Sequence, residues 1–430
     1  MRLSRGTRKD FPGYVGGRCH AHLMRGMTST LTIGERIAWY RQRRGLSQEV
    51  LAGLVGRTTD WLSKVENGRI ELDRLSVLRA LAQQLDIALG DLLDEPSLME
   101  WTRDSGRVTV PGLRSVLMDY RQITDLAQHE DLDEAPTIEQ LKLDVEDVWN
   151  AYQASRFGYV TNTLVRLIPA FKMAAYTYTD ADRTLAYGRL ALLYHVAAST
   201  LTKLGEPDLA WNASDRGVQA AQLSENPVII GSLLRSVAHS LLSTGDYAEA
   251  IRLTRDAADF YQPHLTKPSA TMLSVYGTHL LAGSMAAARH DDRATAREFL
   301  DEASVAARRL GRDSNKLWTA FGPTNVAIHQ VSTAMELGDV QIAVDLGPGL
   351  DTSGVPTERR ARHALEVSRA LSSTNKRDEA LSTLLAAEQL APEQVRYHFL
   401  SRNLVQTWIR TQRGKPSYQL SQLAQRLNVA

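Results

Sequence analysis

Apolar residues recur every three to four positions along most of this chain, a spacing that predicts amphipathic helices throughout. Between residues 29 and 95 the helical stretches are short. The segment Thr32-Ile33-Gly34-Glu35 has the form of a capping box, and glycines at positions 45, 56 and 68 end the first three stretches. We expect five short helices around one small core, whose apolar candidates are Ile37, Leu46, Leu51, Leu54, Leu62, Val65, Leu78 and Leu81.

A second pattern covers residues 141–430, where alanine- and leucine-rich helical stretches alternate with short polar breaks and no strand pattern appears. An alanine follows the start of each break five residues later. The breaks begin at Gly205, Gly245, Asp291, Gly338 and Asn375, and the alanines are Ala210, Ala250, Ala296, Ala343 and Ala380. Because small residues let two helices cross closely, these intervals of 37–47 residues predict repeated helix pairs and an all-α protein.

Composition narrows the classes of partner. Basic and acidic residues are almost equal, 50 against 49, so any nucleic-acid binding must come from a local patch. A single cysteine, Cys19, excludes a disulfide within the chain and favours a reducing compartment. No apolar run approaches the ~20 residues of a membrane helix, and the amino-terminal segment lacks the apolar stretch of a signal peptide. We therefore expect a cytoplasmic protein without a membrane partner.

The segments outside the two patterns carry less information. Residues 1–28 have a net charge of +5 and no periodicity, which predicts a disordered basic arm. The arm could touch a DNA backbone, or it could be an upstream extension without consequence. Cys19, His20 and His22 match no closed zinc spacing and lack a fourth ligand, so we expect no metal site. Residues 96–140 predict an acidic, partly helical connector.

Residues 33–93 resemble the Cro/repressor-type (XRE) helix-turn-helix domain. The matching motifs are RxRRGLSQEVLAGLVG and TTDWLSKVENG, and the match covers the whole bundle. We therefore assign residues 29–95 to a DNA-binding domain of this type. The resemblance implies that Ser47–Val55 lies over the DNA backbone while Thr58–Asn67 enters the major groove. It also implies a buried salt bridge between Arg41 and Glu66 that locks the first helix to the recognition helix.

The resemblance also implies a role in DNA recognition for the polar residues of the third stretch. Thr59, Asp60 and Lys64 match the base-contacting positions of that family, and Lys64 can donate to guanine while Asp60 can accept from cytosine. Asp60 could equally favour the helix dipole and repel wrong sequences. Gln48 offers its amide to a phosphate. The full set of DNA-binding candidates is Gln48, Arg57, Thr58, Thr59, Asp60, Ser63, Lys64, Asn67 and Arg69.

The charge of this domain predicts an assembly. From Thr32 to Arg74 there are eight basic and six acidic residues, a net of only +2. One such domain should bind DNA weakly without sequence preference. We therefore expect a homodimer that reads a pseudo-palindromic operator in double-stranded DNA.

The helix pairs of residues 141–430 resemble tetratricopeptide repeats, with STGDYAEAIRLTRDA as the best single match. This resemblance implies five or six pairs in a right-handed superhelix, whose first helices line a concave face. The whole architecture is similar to the RRNPP-type peptide-responsive regulators of quorum sensing and to actinobacterial XRE regulators with degenerate repeats. It implies that a short peptide effector binds the concave face. The candidates on that face are His195, Arg235, His239, Asn325, His329, Arg362 and Arg369.

Other functions remain open at this level. The repeat domain could instead bind a small metabolite or dock another protein, because a repeat fold alone names no ligand. The chain shows no nucleophile elbow, phosphate-binding loop, dinucleotide fingerprint or metal-spaced histidines, so we expect neither an enzyme nor a cofactor. A structural scaffold with an inactive helix-turn-helix is disfavoured because the groove-facing positions remain polar.

Overall fold

The protein is represented by a computed structural model, which describes residues 31–70, 72–87, 89–93, 109–118, 135–412 and 414–429. The expected basic arm, with Cys19, His20 and His22, lies outside these residues, as does most of the expected connector. The described residues form α-helices joined by turns and contain no β-strand, only one isolated bridge between Ser314 and Phe321. None of the described helices is long and apolar enough to cross a membrane.

Five short helices form the amino-terminal bundle, as the sequence predicts. They are α1 (Ile33–Arg43), α2 (Gln48–Leu54), α3 (Thr59–Glu66), α4 (Leu75–Leu85) and α5 (Leu89–Leu93). Thr32 and Glu35 form the capping box of α1, and the side chains of Ser47 and Thr58 cap α2 and α3. Each cap accepts a hydrogen bond from a backbone N–H that the first helical turn leaves without a partner, which fixes where each helix begins.

The bundle core corrects one expectation. Ile37, Leu51, Leu62, Val65, Leu78 and Leu81 are buried, and Leu46 packs against them, but Leu54 is 52% exposed. Leu54 and Val50, which is 49% exposed, lie one turn apart on the outer side of α2. A seven-residue helix buries only one stripe, and Leu51 and Ala52 occupy it.

The remaining helices build the carboxy-terminal body. A short helix, α6 (Thr109–Leu117), packs against the second helix of the following series. The others are α7 (Ile138–Gln153), α8 (Phe157–Thr177), α9 (Asp180–Lys203), α10 (Pro207–Leu223), α11 (Pro227–Thr244), α12 (Tyr247–Tyr261), α13 (Ala270–Arg289), α14 (Arg293–Leu310), α15 (Pro323–Leu337), α16 (Val340–Leu346), α17 (Thr357–Ser373), α18 (Arg377–Leu390), α19 (Pro392–Tyr397), α20 (Phe399–Thr411) and α21 (Tyr418–Arg426).

The helices of the body stack as pairs, and the repeat signals explain how. Six pairs run from α7 to α18, and α20 with α21 adds a further pair that lacks the break signal. The first residue of every predicted break has a positive φ, from 62° at Asn375 to 82° at Gly338. Glycine, asparagine and aspartate tolerate this left-handed conformation, which ends a helix. All five repeat alanines are at most 1% exposed, because each lies where two helices cross.

The two ends of the pair series contact each other. The Ser155 hydroxyl, in the turn after α7, donates to Gln394 Oε1 on α19 at 2.9 Å. The segment between α14 and α15 reaches α7, where Trp318 stacks on Trp149 with ring centroids 5.2 Å apart. These contacts therefore join the start of the pair series to α19 and to the segment before α15.

The amino-terminal bundle rests on the body through the loop before α4. Asp73 accepts from Arg369 Nε at 2.5 Å, and Arg74 Nε donates to the carbonyl oxygen of Glu336 at 2.7 Å. The guanidinium of Arg79 lies 5.2 Å from the centre of the Tyr247 ring. These contacts involve the loop before α4 and α4 itself, so the polar face of α3 remains exposed to solvent.

Candidate DNA-binding surface and enclosed polar cluster

The recognition helix α3 is held in place by α1. Gly34 of α1 approaches α3 so closely that a Cβ on it would lie 2.1 Å from the carbonyl oxygen of Val65. Arg41 Nε and Nη2 donate to the two oxygens of Glu66 at 2.6 and 2.9 Å. This buried bidentate pair confirms the salt bridge that the resemblance implies, and the hydrogen bond that Arg41 donates to Glu66 raises the pKa of Arg41. α3 is therefore positioned by close packing and by a fixed charge pair.

The DNA-binding candidates on and around α3 are brought onto one surface. Those that are exposed are Arg57, Thr58, Thr59, Asp60, Lys64, Asn67 and Arg69, and Ser63 is half-buried. Lys64 Nζ lies 2.7 Å from Asp60 Oδ2, one helical turn away, and Asn67 Nδ2 donates to the Ser63 carbonyl oxygen at 2.7 Å. Exposed pairs of this kind contribute little stability, so they can be exchanged for contacts to bases. The arrangement can present both donors and acceptors to a major groove.

Gln48 has a structural contact in addition to its predicted one. Its Nε2 donates to Glu66 Oε2 at 2.7 Å, which ties the start of α2 to the Arg41–Glu66 pair. An amide nitrogen carries two donor hydrogens, so the second could still reach a phosphate. The guanidinium of Arg57 lies 5.6 Å from the centre of the Trp61 ring, which holds that arginine at the edge of the surface.

The effector candidates on α9 and α11 lie inside the body. His195 is fully buried, and Arg235 is 4% exposed. Arg235 Nη2 lies 3.3 Å from His195 Nε2, and the Ser232 hydroxyl lies 3.2 Å from Nδ1. Because a guanidinium only donates, Nε2 accepts and the ring proton sits on Nδ1. Burial, followed by the charge of Arg235, lowers the pKa of His195 well below its usual range, so the ring is neutral.

Two further candidates share one face of α15, as their spacing of four residues predicts. Asn325 is 1% exposed, and neither its Nδ2 nor its Oδ1 has a hydrogen-bond partner among the described residues. His329 is half-buried, and its Nδ1 donates to the Asn325 carbonyl oxygen at 2.9 Å. Burial, followed by the charge of Arg359, lowers the pKa of His329 to about 4. His239 on α11 is half-buried, and its pKa is lowered by burial and then by Arg235.

The two candidates on α17 belong to a chain of ion pairs. Arg362 Nη2 lies 2.6 Å from Glu366 Oε1, and Arg362 also contacts His398. Arg369 is 1% exposed and lies 3.1 Å from Glu366 and 2.5 Å from Asp73 of the amino-terminal bundle. Arg369 therefore faces the bundle, whereas Arg362 lies between His398 and Glu366. Whether either contacts an effector stays a prediction.

The structure adds residues that the sequence reasoning missed. Glu358 is 2% exposed, lies 2.5 Å from Lys203 Nζ and 3.5 Å from Arg359 Nε, and stands at the start of α17. Burial alone would raise the pKa of Glu358, but Lys203 and then Arg359 lower it to about 2. The charge-rich stretch TERRARH was the available signal. Its partner Lys203 lies more than 150 residues away, so no local spacing relates the two.

Comparison with known proteins identifies the amino-terminal bundle. Residues 32–95 match the family model of the helix-turn-helix domain. The chain therefore carries an amino-terminal helix-turn-helix DNA-binding domain on a body of helical repeats. No curated protein matches the chain.

One solved structure that matches is PlcR of Bacillus thuringiensis, determined in complex with the peptide PapR7 and DNA. The identity is 13%, the alignment covers 65% of this chain and 95% of that chain, and the TM-score is 0.26. A TM-score this low supports no conclusion about the arrangement or the ligand of the present chain.

Proposed function

We propose that this protein is a sequence-specific, DNA-binding transcriptional regulator whose repeat body dimerises and senses an effector. The observation that carries the proposal is the exposed polar face of α3 inside a domain that matches the helix-turn-helix family. We assign residues 29–95 to DNA binding and residues 141–430 to effector sensing and dimerisation. Residues 1–28 and 96–140 would serve as basic arm and connector.

DNA reading would use the groove-facing residues of α3. Thr59, Asp60 and Lys64 project from one side of the helix and meet base edges, while Arg57 and Arg69 meet the flanking phosphates. The ion pair between Lys64 and Asp60 separates when Lys64 donates a hydrogen bond to an acceptor on a base edge. The buried Arg41–Glu66 pair keeps α3 rigid during this exchange.

A homodimer is expected because one DNA-binding domain carries little net positive charge. With a net of +2 between Thr32 and Arg74, a single domain neutralises few phosphates. Two DNA-binding domains spaced by about 34–36 Å, or by a multiple of that distance, can read both halves of a pseudo-palindrome. The repeat body supplies the surface for pairing.

The effector would be a short peptide that binds the polar interior of the body. Asn325 can bond both the N–H and the C=O of a peptide backbone. A chain of ion pairs leads from Arg362 through Glu366 to Arg369 and on to Asp73 of the DNA-binding domain. A ligand that binds Arg362 changes the charge balance along this series of ion pairs. Its influence on DNA binding is limited to its differential affinity for the two arrangements, typically about 1–3 kcal/mol.

A second candidate effector is a small metabolite. The observation that favours it is that the start of the pair series contacts α19 and the segment before α15, because such contacts shorten the groove that an extended peptide could occupy. The same DNA-binding assay, run with metabolite extracts and with peptide libraries, separates the two.

In vitro selection of random duplexes by the full chain tests DNA recognition and assembly together. We expect one enriched motif with two related half-sites, and light scattering should show a dimer at micromolar concentration. The absence of any enriched motif would remove the regulator assignment. A monomer both free and on DNA would remove the dimer.

The effector is tested with Asn325→Ala. We expect the DNA affinity of this variant no longer to respond to the extract or peptide pool that alters DNA binding by the wild type. Its DNA affinity without effector should stay within about twofold of the wild-type value, because an unpartnered amide adds little to folding. If Asn325→Ala instead unfolds or fails to bind DNA, Asn325 is a structural residue. If no extract or peptide pool alters DNA binding by the wild type, the effector role is wrong.

A further inference from the structure

Charged side chains in the body and at its contact with the amino-terminal bundle form two groups that differ in net charge. The outer group has three cations, Arg289, Arg362 and Arg369, and three carboxylates, Glu336, Glu366 and Asp73. It is electrically neutral and joins the body to the DNA-binding domain. The charges of this group therefore balance one another.

The inner group is not balanced. Its cations are Lys203, Arg235 and Arg359, and among the described residues Glu358 is the carboxylate that faces them. The net charge is therefore +2. The side chains of Lys203 and Arg359 are 23% and 20% exposed, and Arg235 is 4% exposed. Uncompensated cations at this depth are costly, because they are paired or solvated only in part.

The pKa values of the groups around Arg359 show the effect of the surplus positive charge. Burial, then Arg359, lowers the pKa of Arg235 to about 10, and Arg359 also lowers the pKa of His239 and His329. The hydroxyl of Tyr152 on α7 is buried in the same field. Burial, and then the cations of α11, α17 and α9, lower the pKa of His239. The histidines of this region therefore add no further charge at neutral pH.

Unused hydrogen-bonding groups lie in the same region. Arg235 Nε has no partner among the described residues. Asn325, one turn from His329, is 1% exposed with both side-chain atoms unpartnered. A buried polar atom without a partner costs free energy, so a site that contains several such atoms gains by binding a ligand that supplies partners.

We propose that the inner cluster, defined as Lys203, Arg235, Arg359, Glu358, His239, His329 and Asn325, binds a phosphate or carboxylate group of the effector. Lys203 and the two guanidinium groups donate charge-assisted hydrogen bonds to the anion. The Asn325 Nδ2 donates to it or to the adjoining atoms, while Oδ1 accepts from a neighbouring N–H or O–H of the ligand. The link from this site to DNA affinity rests on the function proposed above, whereas anion binding itself does not.

The site is tested by thermal unfolding of the purified full chain. The melting temperature, Tm, is measured with inorganic phosphate, with succinate and with chloride at equal ionic strength, so that general screening is the same in all three. The variants are Arg359→Gln and, as a matched control, Arg360→Gln. Arg360 is the next residue of the same helix and acts on Asp351 at the outer surface. Both variants remove one positive charge, so only their positions differ.

We expect phosphate and succinate to raise the Tm of the wild type above its value in chloride. The phosphate concentration that gives half of the effect should rise at least about tenfold in Arg359→Gln, since a charge-assisted hydrogen bond is lost. Arg360→Gln should respond like the wild type. Equal responses of the two variants to phosphate, or no effect of either anion on the wild type, would overturn the proposal.

A second variant tests the proposal independently, in case Arg359→Gln does not fold. Asn325→Asp keeps the shape of the side chain and places a negative charge inside the cluster. It should raise the Tm in chloride and abolish the further rise with phosphate, because it supplies the missing charge. A lower Tm in chloride together with an intact phosphate response would show that the cluster holds no surplus of positive charge, and would overturn the proposal.

The source of the anion is distinguished by the ligand added. A pool of random short peptides with free carboxyl termini is compared with the same pool amidated, and a sugar phosphate is compared with the free sugar. Protection that requires the free terminus identifies a peptide carboxylate, and protection that requires the phosphoryl group identifies a phosphorylated metabolite. If anions protect the chain but none changes DNA affinity, the anion site stands and the effector role proposed above fails.

Discussion

The DNA-binding domain and the repeat body use polar side chains in opposite ways. In the domain, the candidate contacts Thr59, Asp60 and Lys64 lie on one eight-residue helix and are exposed. In the body, candidates such as His195 and Asn325 come from helices more than 100 residues apart and are buried. DNA is a large polyanion met from outside, so its contacts must remain in solvent. A small ligand that is to be enclosed requires polar groups inside, and their burial must be offset by partners.

The buried ion pairs of the two regions also differ. In the domain, Arg41 and Glu66 form one balanced, bidentate pair. In the body, Glu358 pairs with two cations, Lys203 and Arg359. Removal of a single carboxylate should therefore do more damage in the body than any change on the surface of α3.

The largest effect is expected for Glu358→Gln. The change leaves Lys203 and Arg359 buried without their carboxylate, and the loss of one partner of a buried charge pair costs about 3–5 kcal/mol in the free energy of unfolding. Urea unfolding followed by circular dichroism measures this loss. Glu379→Gln on the exposed side of α18 is the control and should change stability by less than about 0.5 kcal/mol. Equal stabilities of the two variants would contradict the role given to Glu358.

The pH dependence should also separate the two regions. His279 is fully buried, its Nε2 lies 2.8 Å from the Gly231 carbonyl oxygen, and burial lowers its pKa from 6.5 to about 4. The unfolded chain thus binds the proton more readily. The stabilisation is complete above about pH 6.5, decreases as the pH falls towards 4, and is on the order of 3 kcal/mol for this shift. Residues 31–93 contain no histidine, so the DNA-binding domain lacks this source of acid lability.

Hydrogen exchange at pH 7 and pH 5 measures the two regions in one sample. Amides of α13 should lose protection at the lower pH, while those of α1 and α3 change little. His279→Gln should reduce the difference in the body, because glutamine does not titrate. A loss of protection that is uniform along the chain, or unchanged in His279→Gln, would contradict this assignment.

Lys64→Ala should weaken the preferred duplex by about 1–3 kcal/mol and relax the preference at one base pair. The free energy of unfolding should stay within about 1 kcal/mol of the wild type, because the pair with Asp60 is exposed. Fluorescence anisotropy with selected and scrambled duplexes measures the effect. Lys142→Ala is a matched control, since Lys142 forms a similar exposed pair with Glu139 on α7.

Gln48→Ala makes the same test more specific. It should weaken all duplexes alike, because a phosphate contact carries no base information. It should also lower the stability of the domain by about 1 kcal/mol, because the hydrogen bond to Glu66 is lost. If Lys64→Ala and Gln48→Ala both reduce affinity for selected and scrambled duplexes equally, the base-reading assignment is wrong.

The smallest effect is expected for Arg410→Gln. Arg410 of α20 contacts Glu35 of the DNA-binding domain, and both side chains are more than one third exposed. Such a pair contributes about 0–1 kcal/mol, and salt should remove most of it. Urea unfolding at low and high salt measures the difference from the wild type. A loss well above about 1 kcal/mol would mean that this contact, rather than the buried Arg369–Asp73 pair, holds the domain on the body.

Many features of the fold could be read from short stretches. The capping box at Thr32, the left-handed glycines at 45, 56 and 68, and the repeat alanines each act within a few residues of their position. The one wrong core position, Leu54, shows where this reading ends. An apolar residue on a short helix fits either side of it, and only the packing of neighbouring helices decides which side is covered.

The sequence by itself determined the helices, their ends, the helix-turn-helix domain and the surface of α3, because caps, turns and helical periodicity are local. It also placed Asn325 and His329 on one face. Only the tertiary structure decided that Lys203 meets Glu358 and that Arg369 turns towards Asp73. These contacts join residues 155 and 296 positions apart, and no pattern along the chain encodes which distant charges meet once the helix pairs have stacked.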